Sequence, residues 1–404
     1  MINITDKTKC VGCGACAQVC RHHSIKLVPD CEGFLYPQID KEKCVDCGAC
    51  DRVCPVGKNS PINESDIFEG VAYAAIHADD GVRKNSSSGG VFFALASNVL
   101  RAGGVVVGAS FNKGCTVVSH SLVESIDELD SLMRSKYVQS DTSNIFQKVK
   151  MTLKEGRMCL FSGTPCQVEA LIKYLGTYNP ENLITVDIFC HGVPSPGVWK
   201  KFIEEETLAR KNNIIDVNFR NKDAGWKKGS ISFFYEDGSV ETKLHTDNPY
   251  MVAFKNNSIL RPSCHHCYFK KINHKSDISL GDLWGCDVFD ESVFDNKGTS
   301  AIVIHTSKGR KVIQDVVGQF KLIKEVSIDN IVEYNKAFIQ SEPIHPKRDL
   351  FFAYLSRYPV STLSKKYAKP KLTPYQRLAV ILQKIGIFST AKKIKDSCLN
   401  FLRR

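Results

Sequence analysis

CVGCGACAQVC at residues 10–20 and CVDCGACDRVCP at residues 44–55 are two copies of one pattern. They place Cys10, Cys13, Cys16 and Cys20 in the first copy, and Cys44, Cys47, Cys50 and Cys54 in the second. Two-residue spacings let one loop point three thiolates at a single cubane, while the fourth, at the start of the following helix, reaches the other cluster. The repeat therefore predicts one 4Fe–4S cluster on Cys10, Cys13, Cys16 and Cys54, and a second on Cys44, Cys47, Cys50 and Cys20. Gly12, Gly14 and Gly48 suit loops that wrap tightly and turn backbone N–H groups toward sulfur. Two four-cysteine zinc sites are the alternative, but these usually show separated CxxC pairs rather than runs of four. Gly12, Gly14 and Ala17 also satisfy a dinucleotide-binding glycine pattern, but no strand pattern precedes them and cysteines interrupt them.

Residues 1–60 resemble the bacterial two-cluster ferredoxins across their whole pattern. The departure is Arg21, which stands where the second copy has Pro55 and removes no ligand.

The composition agrees with a redox protein of ordinary globular texture. Of 404 residues, 43% are hydrophobic and 24% charged, which excludes wholesale disorder. The apolar runs, such as VFFALA at 91–96, are far shorter than the roughly 18 residues of a spanning helix. The N-terminus MINITDKTKC lacks the profile of a secretory signal. Seventeen cysteines without an export signal predict a reducing cytoplasm, with clustered cysteines as metal ligands rather than disulfides.

After residue 60 the texture changes to alternating strand and helix patterns. Strands are predicted at 70–78, 105–111, 116–123, 158–163, 182–190 and 301–306, with helices at about 90–101, 143–156, 166–175 and 196–211. A more β-rich stretch covers 217–220, a hairpin at 230–244 turning at Asp237-Gly238, and 277–284. The fold class expected is a mixed α+β and α/β one. It has a small two-cluster ferredoxin-like domain, then an α/β layered body, then a basic amphipathic C-terminal helix.

Three features of the body look chemical. The loop NSSSGG at 85–90 places small residues and free N–H groups at a helix start. That suits a phosphate, or equally an N-cap whose glycine serves packing. Cys166 follows Gly163-Thr164-Pro165 at a helix start, Cys190 ends a strand, and Cys264 and Cys267 form a CxxC after Pro262. These four could hold a third cluster, or a zinc ion with help from His265, His266 or His274, or could be inert buried cysteines. Asp282 and Trp284, at a strand end in KSDISLGDLWG, could line a flat aromatic ligand or sit in the core.

Together and in order, NSSSGG (85–90), SKYVQS (135–140), FSGTPCQ (161–167), FCHGVPSP (189–196), FRNKDAGW (219–226), CHHCYF (264–269) and DISLGDLWG (277–285) resemble the beta subunit of the coenzyme F-420 hydrogenase/dehydrogenase family. The likeness spans about residues 65–320. It implies an N-terminal-type region at 65–156 and a C-terminal-type region at 157–330. Members are FAD-containing iron–sulfur flavoproteins. The resemblance thus implies FAD contacts at Ser87, Ser88, Gly89 and Gly90, and a third 4Fe–4S cluster on Cys166, Cys190, Cys264 and Cys267. It also implies flavin-pocket roles for Lys136, Tyr137, Asp282 and Trp284, and makes His191 a candidate proton donor. Fold and cofactors carry across such a family, whereas the substrate does not.

A flavin accepts an electron pair and releases electrons singly, and each cubane carries one. The chain is therefore expected to be an FAD-dependent oxidoreductase linking ferredoxin-type clusters to a small molecule, coenzyme F-420 or another. The alternative is an electron-transfer subunit without its own substrate, serving a partner enzyme, for example in surface-polysaccharide synthesis. Either reading calls for a donor or acceptor protein. Residues 365–404 hold eleven Lys and Arg against Asp396 alone, so nearly all of the net charge of +11 lies in this tail. Apolar residues recur there every three or four positions, predicting a basic helix for an anionic membrane face, an acidic partner or the protein's own body. Nucleic acid is not expected, because the tail has no reading motif.

Overall fold

The computed structural model describes residues 6–57, 70–178 and 180–369. Beyond Lys369 the basic tail lies outside the described residues.

The cysteine repeat forms two short helices, Ala15–Val19 and Ala49–Arg52, each entered through a glycine in the left-handed region, Gly14 and Gly48. Between them runs an antiparallel hairpin, β1 (Ile25–Pro29) and β2 (Leu35–Ile39), with Ile25 opposite Ile39. The sequence pattern does not predict this hairpin. Each strand carries a proline, and alternation is weak over five residues.

The body follows the predicted alternation closely. Its strands are β3 (Val71–His77), β4 (Val105–Phe111), β5 (Val118–Val123), β6 (Cys159–Gly163), β7 (Leu183–Ile188), β8 (Ile214–Asn221), β9 (Ser230–Tyr235), β10 (Val240–Leu244), β11 (Ile278–Asp282), β12 (Ser300–Ile304) and β13 (Phe320–Glu325). Eight form one mixed sheet in the order β13-β3-β12-β11-β7-β6-β4-β5. At its centre β4, β6, β7 and β11 run parallel, and β5, β12 and β13 pair antiparallel to their neighbours. The central strands read as near-continuous apolar runs because both faces are covered. On one face Val106, Leu160, Ile184 and Ile302 pack with the helices Val91–Arg101 and Ser307–Val316. On the other, Val105, Val107, Phe161 and Leu183 pack with Ile145–Lys154 and Pro165–Leu175. β8, β9 and β10 make a separate antiparallel sheet, cored by Trp199, Phe202, Phe219, Phe233 and Tyr250.

The cysteine-rich segment is built into this body. Val11, Cys13, Ala15 and Val53 share the core of Val149, Phe161 and Leu171. Thr142 Oγ1 donates to Cys13 O at 2.7 Å, and Gln139 Nε2 donates to Val11 O at 3.0 Å. The hairpin tip is held by Arg348, whose guanidinium grips both carboxylate oxygens of Glu32 at 2.8 and 2.5 Å. At that tip Gly33 (φ +82°) lies against Gly197 so closely that a Cβ on Gly33 would stand 2.5 Å from Gly197 Cα.

Candidate redox centre

Parallel strands end on one edge of the sheet, and the body's candidate residues gather there. Beyond β6, Thr164 and Gln167 form a capping box at the start of the helix Pro165–Leu175, which carries Cys166 in its first turn. Thr164 Oγ1 lies 3.1 Å from Cys166 Sγ. Beyond β7 the chain reaches Cys190. Cys264 sits on the short helical turn Pro262–His266, and Cys267 follows it. All four cysteines line one cavity together with Val11, Gly192, Phe269, Lys270 and Phe338. Burial pushes the Cys264 thiol up to about 12 and Cys190 up to about 11, and the neighbouring cysteines add to both shifts. Cys166 rises well above its ordinary value, through burial and then through Cys267. Four crowded thiols, three of which are raised in part by their cysteine neighbours, are a donor set whose ionisation the cationic iron of a bound cluster would relieve. Val193 N–H donates to Cys264 Sγ at 3.4 Å, as a backbone amide does toward a ligating sulfur.

The repeat places its cysteines in two further groups. Cys13 is pushed up to about 12 by burial and then by Cys10 and Cys54, and the same neighbours act on Cys16. Cys20, Cys44, Cys47 and Cys50 line a second cavity with Ile25, Ile39 and Gly48. Burial raises the Cys20 thiol, but hydrogen bonds outweigh it and hold the group below its ordinary value. Ser24 Oγ stands 3.0 Å away. Gly12 (φ +69°) lies where a Cβ would be 2.7 Å from both Arg261 Nη1 and Gln139 Nε2. Among the described residues, no three His, Cys, Asp or Glu close on a point as ligands of a single ion. Eight of the twelve grouped cysteines instead stand around voids.

The residues named for a flavin also converge, though several have protein partners of their own. Ser87 Oγ accepts from Ser135 N–H at 2.8 Å, and Ser88 Oγ donates to Thr299 O at 2.7 Å. Gly89 packs against the carbonyl of Ala75 and the amide of Ser300, and Gly90 (φ +95°) starts the helix against His77. Gly89 is thus demanded by close backbone packing, and Gly90 by its left-handed φ and the His77 side chain. Asp282, the last residue of β11, accepts from Arg220 Nη2 and from Trp226 Nε1, each at 3.0 Å. Trp226 stacks on Trp284 with ring centroids 4.7 Å apart and planes 10° from parallel, and Arg220 lies 5.0 Å above Trp284. Lys222 Nζ donates to Ser88 O at 3.0 Å, joining the serine loop to this cluster. Burial lowers the Lys222 ammonium to about 8. Tyr137 stacks on Phe254 at 5.0 Å, and its phenol is raised by burial. Lys136 Nζ donates to Ser131 O and Met133 O at 2.8 and 2.5 Å, and burial lowers it to about 7.

His191, beside Cys190, has both ring nitrogens engaged. Nε2 lies 2.8 Å from Asn257 Oδ1, and Nδ1 lies 3.1 Å from Glu342 Oε1. Burial raises the Glu342 carboxyl, but the bonds to His191 and Asn257 outweigh it and leave the group below its ordinary value. His265, His266 and His274, the candidate helpers for zinc, do not line the four-cysteine cavity. His274 pairs instead with Asp187 at 2.8 Å. Arg220, Lys222 and Trp226 were not singled out from sequence, although they lie within FRNKDAGW and only the fold brings them to Asp282. Arg261, beside Pro262 and the CxxC, carried no signal that it would touch Cys10.

Residues 156–328 match the family of the C-terminal part of the coenzyme F420 hydrogenase/dehydrogenase beta subunit, and residues 9–58 match the 4Fe-4S dicluster domain. No curated protein matches the chain. Among solved structures, a chain of the F420-reducing [NiFe] hydrogenase complex from Methanosarcina barkeri is similar at 17% identity with a TM-score of 0.47, over 78% of this chain and 100% of that one. No helix among the described residues is long and apolar enough to cross a membrane. The two matched segments contain all twelve grouped cysteines. The chain therefore carries a coenzyme F420 hydrogenase/dehydrogenase beta-subunit-type domain over residues 156–328 and a ferredoxin-type 4Fe–4S domain at its N-terminus.

Proposed function

We propose that this protein is an iron–sulfur flavoprotein oxidoreductase that passes electrons between three 4Fe–4S clusters and a small molecule reacting at FAD. The observation that carries the reading is the alignment of sites. The second cavity holds Cys20, Cys44, Cys47 and Cys50, the next group is Cys10, Cys13, Cys16 and Cys54, and Val11 of that loop also lines the cavity of Cys166, Cys190, Cys264 and Cys267. In this reading those three sets hold one cluster each. FAD, when bound, supplies the exchange between an electron pair and single electrons. Arg220 and Lys222 would offer positive charge to its phosphates, and Trp284 and Tyr137 would offer aromatic surface to its ring.

His191 is read here as a positioning residue, because Asn257 and Glu342 hold both of its nitrogens. The Glu342 carboxylate orients the ring that follows Cys190. The lysines of 365–404 supply the charge for contact with an anionic membrane face or an acidic partner.

The test is anaerobic purification followed by iron, flavin and electron-transfer assays. Broad absorbance near ~400 nm with about twelve iron per chain and one released FAD is expected for three cubanes. A colourless zinc protein would overturn the reading. Flavin reduction by a deazaflavin, NAD(P)H or reduced ferredoxin then identifies the substrate class. If none of these exchanges electrons with the isolated chain, the partner-dependent subunit takes its place.

A further inference from the structure

Arg261 is fully buried, yet among the described residues its guanidinium contacts no carboxylate. Burying an unpaired charge costs several kcal/mol, so its partner must be found elsewhere. Nε donates to Cys10 O at 2.7 Å, and Nη2 donates to Leu35 O at 3.0 Å while standing 3.5 Å from Cys10 Sγ. Nη1 donates to Gln139 Oε1 at 3.0 Å, and the plane lies 4.3 Å over the Tyr36 ring. From the other side, the carbonyl of Arg261 accepts from Cys264 N–H at 2.9 Å. One residue thus touches a cysteine of the ferredoxin segment and a cysteine of the body.

We propose that Arg261 is a positioning and potential-setting residue for the cluster on Cys10, Cys13, Cys16 and Cys54, holding that cluster beside the body's site and making it the easier of the two ferredoxin-type clusters to reduce. The inference rests on the reading of the cysteine groups as clusters. Its physics is electrostatic. A cubane on four thiolates is anionic and gains one further negative charge on reduction, so a cation fixed in a dry site favours the reduced form. Lys173 Nζ, donating to Cys54 O at 3.1 Å, adds a second cation at the same cluster. At the other cluster Arg52 donates to Cys47 O at 3.1 Å, and Arg21 and Lys43 adjoin Cys20 and Cys44, but all three are exposed, where water screens them. Asp46 belongs to that outer loop, whereas Asp51 acts on Cys54 of the inner cluster, where buried Arg261 and Lys173 oppose it. An electron shared within the segment therefore rests on the cluster nearer Val11 and the body, with the outer cluster oxidised.

The experiment is an EPR-monitored reductive titration of the full-length, anaerobically loaded protein, with iron counted in every sample. In Arg261→Gln about twelve iron per chain should remain. One cluster should become about tenfold harder to reduce at fixed potential, a displacement of about 59 mV for a one-electron couple. Arg261→Lys should move the same signal by less. Lys173→Met, in the last turn of the helix Pro165–Leu175, should move that same signal in the same direction and decides the matter if Arg261→Gln does not fold. Full iron with unchanged midpoints in Arg261→Gln overturns the inference while leaving the clusters standing. Displacement of two different signals by the Arg261 and Lys173 variants overturns it as well. Protein without iron in the unmodified chain would instead overturn the reading on which it rests.

Discussion

The contact between Gly33 and Gly197 allows the docking of the ferredoxin segment to be weighed directly. In Gly33→Ala the new Cβ would stand 2.5 Å from Gly197 Cα and 2.6 Å from Gly197 N. Carbon atoms rest at about 3.5 Å or more, so the hairpin tip and the helix Pro196–Arg210 must part by about 1 Å. That displacement loosens the bond from Ser195 Oγ to Glu32 O and misaligns the paired hydrogen bonds between Arg348 and Glu32. Overpacking of this kind costs about 1–3 kcal/mol. The left-handed backbone of Gly33 (φ +82°) adds about 1–2 kcal/mol for an L side chain. The sum is about 2–5 kcal/mol. Gly103→Ala is the control, because Gly103 shares the backbone conformation (φ +75°) but a Cβ there meets nothing within 4 Å. It should lose only the backbone contribution of about 1–2 kcal/mol. Urea denaturation of both variants, followed by circular dichroism, measures the difference. Equal destabilisation within about 0.5 kcal/mol would show that the close approach carries no energy, and the docking argument would fail.

Three further outcomes are expected. Cys166→Ser and Cys264→Ser should each lose about four iron and keep the ferredoxin-type clusters; loss of zinc, or of nothing, refutes the third set of ligands. Asp282→Asn removes the charge that faces buried Arg220 and should cost about 3 kcal/mol in urea denaturation. It should lower the flavin released per chain with iron unchanged, and full flavin occupancy would detach Asp282 from the pocket. The third concerns acid. Burial pushes His120, His245 and His305 down to about 4, from ordinary values near 6.5. Between about 4 and 6.5 the unfolded chain binds protons that the folded chain refuses, so stability falls as the pH falls through that window. Each histidine contributes about 1.4 kcal/mol per pH unit, or about 4 kcal/mol per unit together. A urea midpoint that does not move between pH 6 and 5 would contradict this, and His120→Gln should remove about a third of the slope.

The alternation of strand and helix was legible because the central strands are covered on both faces and so appear as unbroken apolar runs. β13, with Lys321 and Lys324 in an edge strand, and the proline-bearing hairpin β1–β2 lack that signature. The dicluster segment could be read from spacing because ligand geometry constrains neighbours in sequence. Cys166, Cys190 and the pair Cys264 and Cys267 lie far apart, and only the family resemblance favoured them as one cluster's ligands. The surroundings of Asp282 could not. Arg220 is 62 residues away and Trp226 is 56, and only the order of β8 and β11 in their separate sheets brings them together. The packing role of NSSSGG was equally hidden, because Ala75, His77 and Ser300, which crowd its glycines, come from other elements, β3 and β12.

The grip of Arg348 on Glu32 ties together residues 316 positions apart. During synthesis at roughly 5–20 residues per second, Glu32 waits about 15–60 s before its partner has been made. For that interval the cysteine segment is exposed on the nascent chain without its final clamp. Iron delivered then meets accessible thiols, whereas iron delivered later must enter through a docked face. In the proposed reading the inner cluster would be assembled against a deadline set by translation, and slowing the ribosome between residues 32 and 348 should raise the iron bound per chain; an unchanged iron content would refute it.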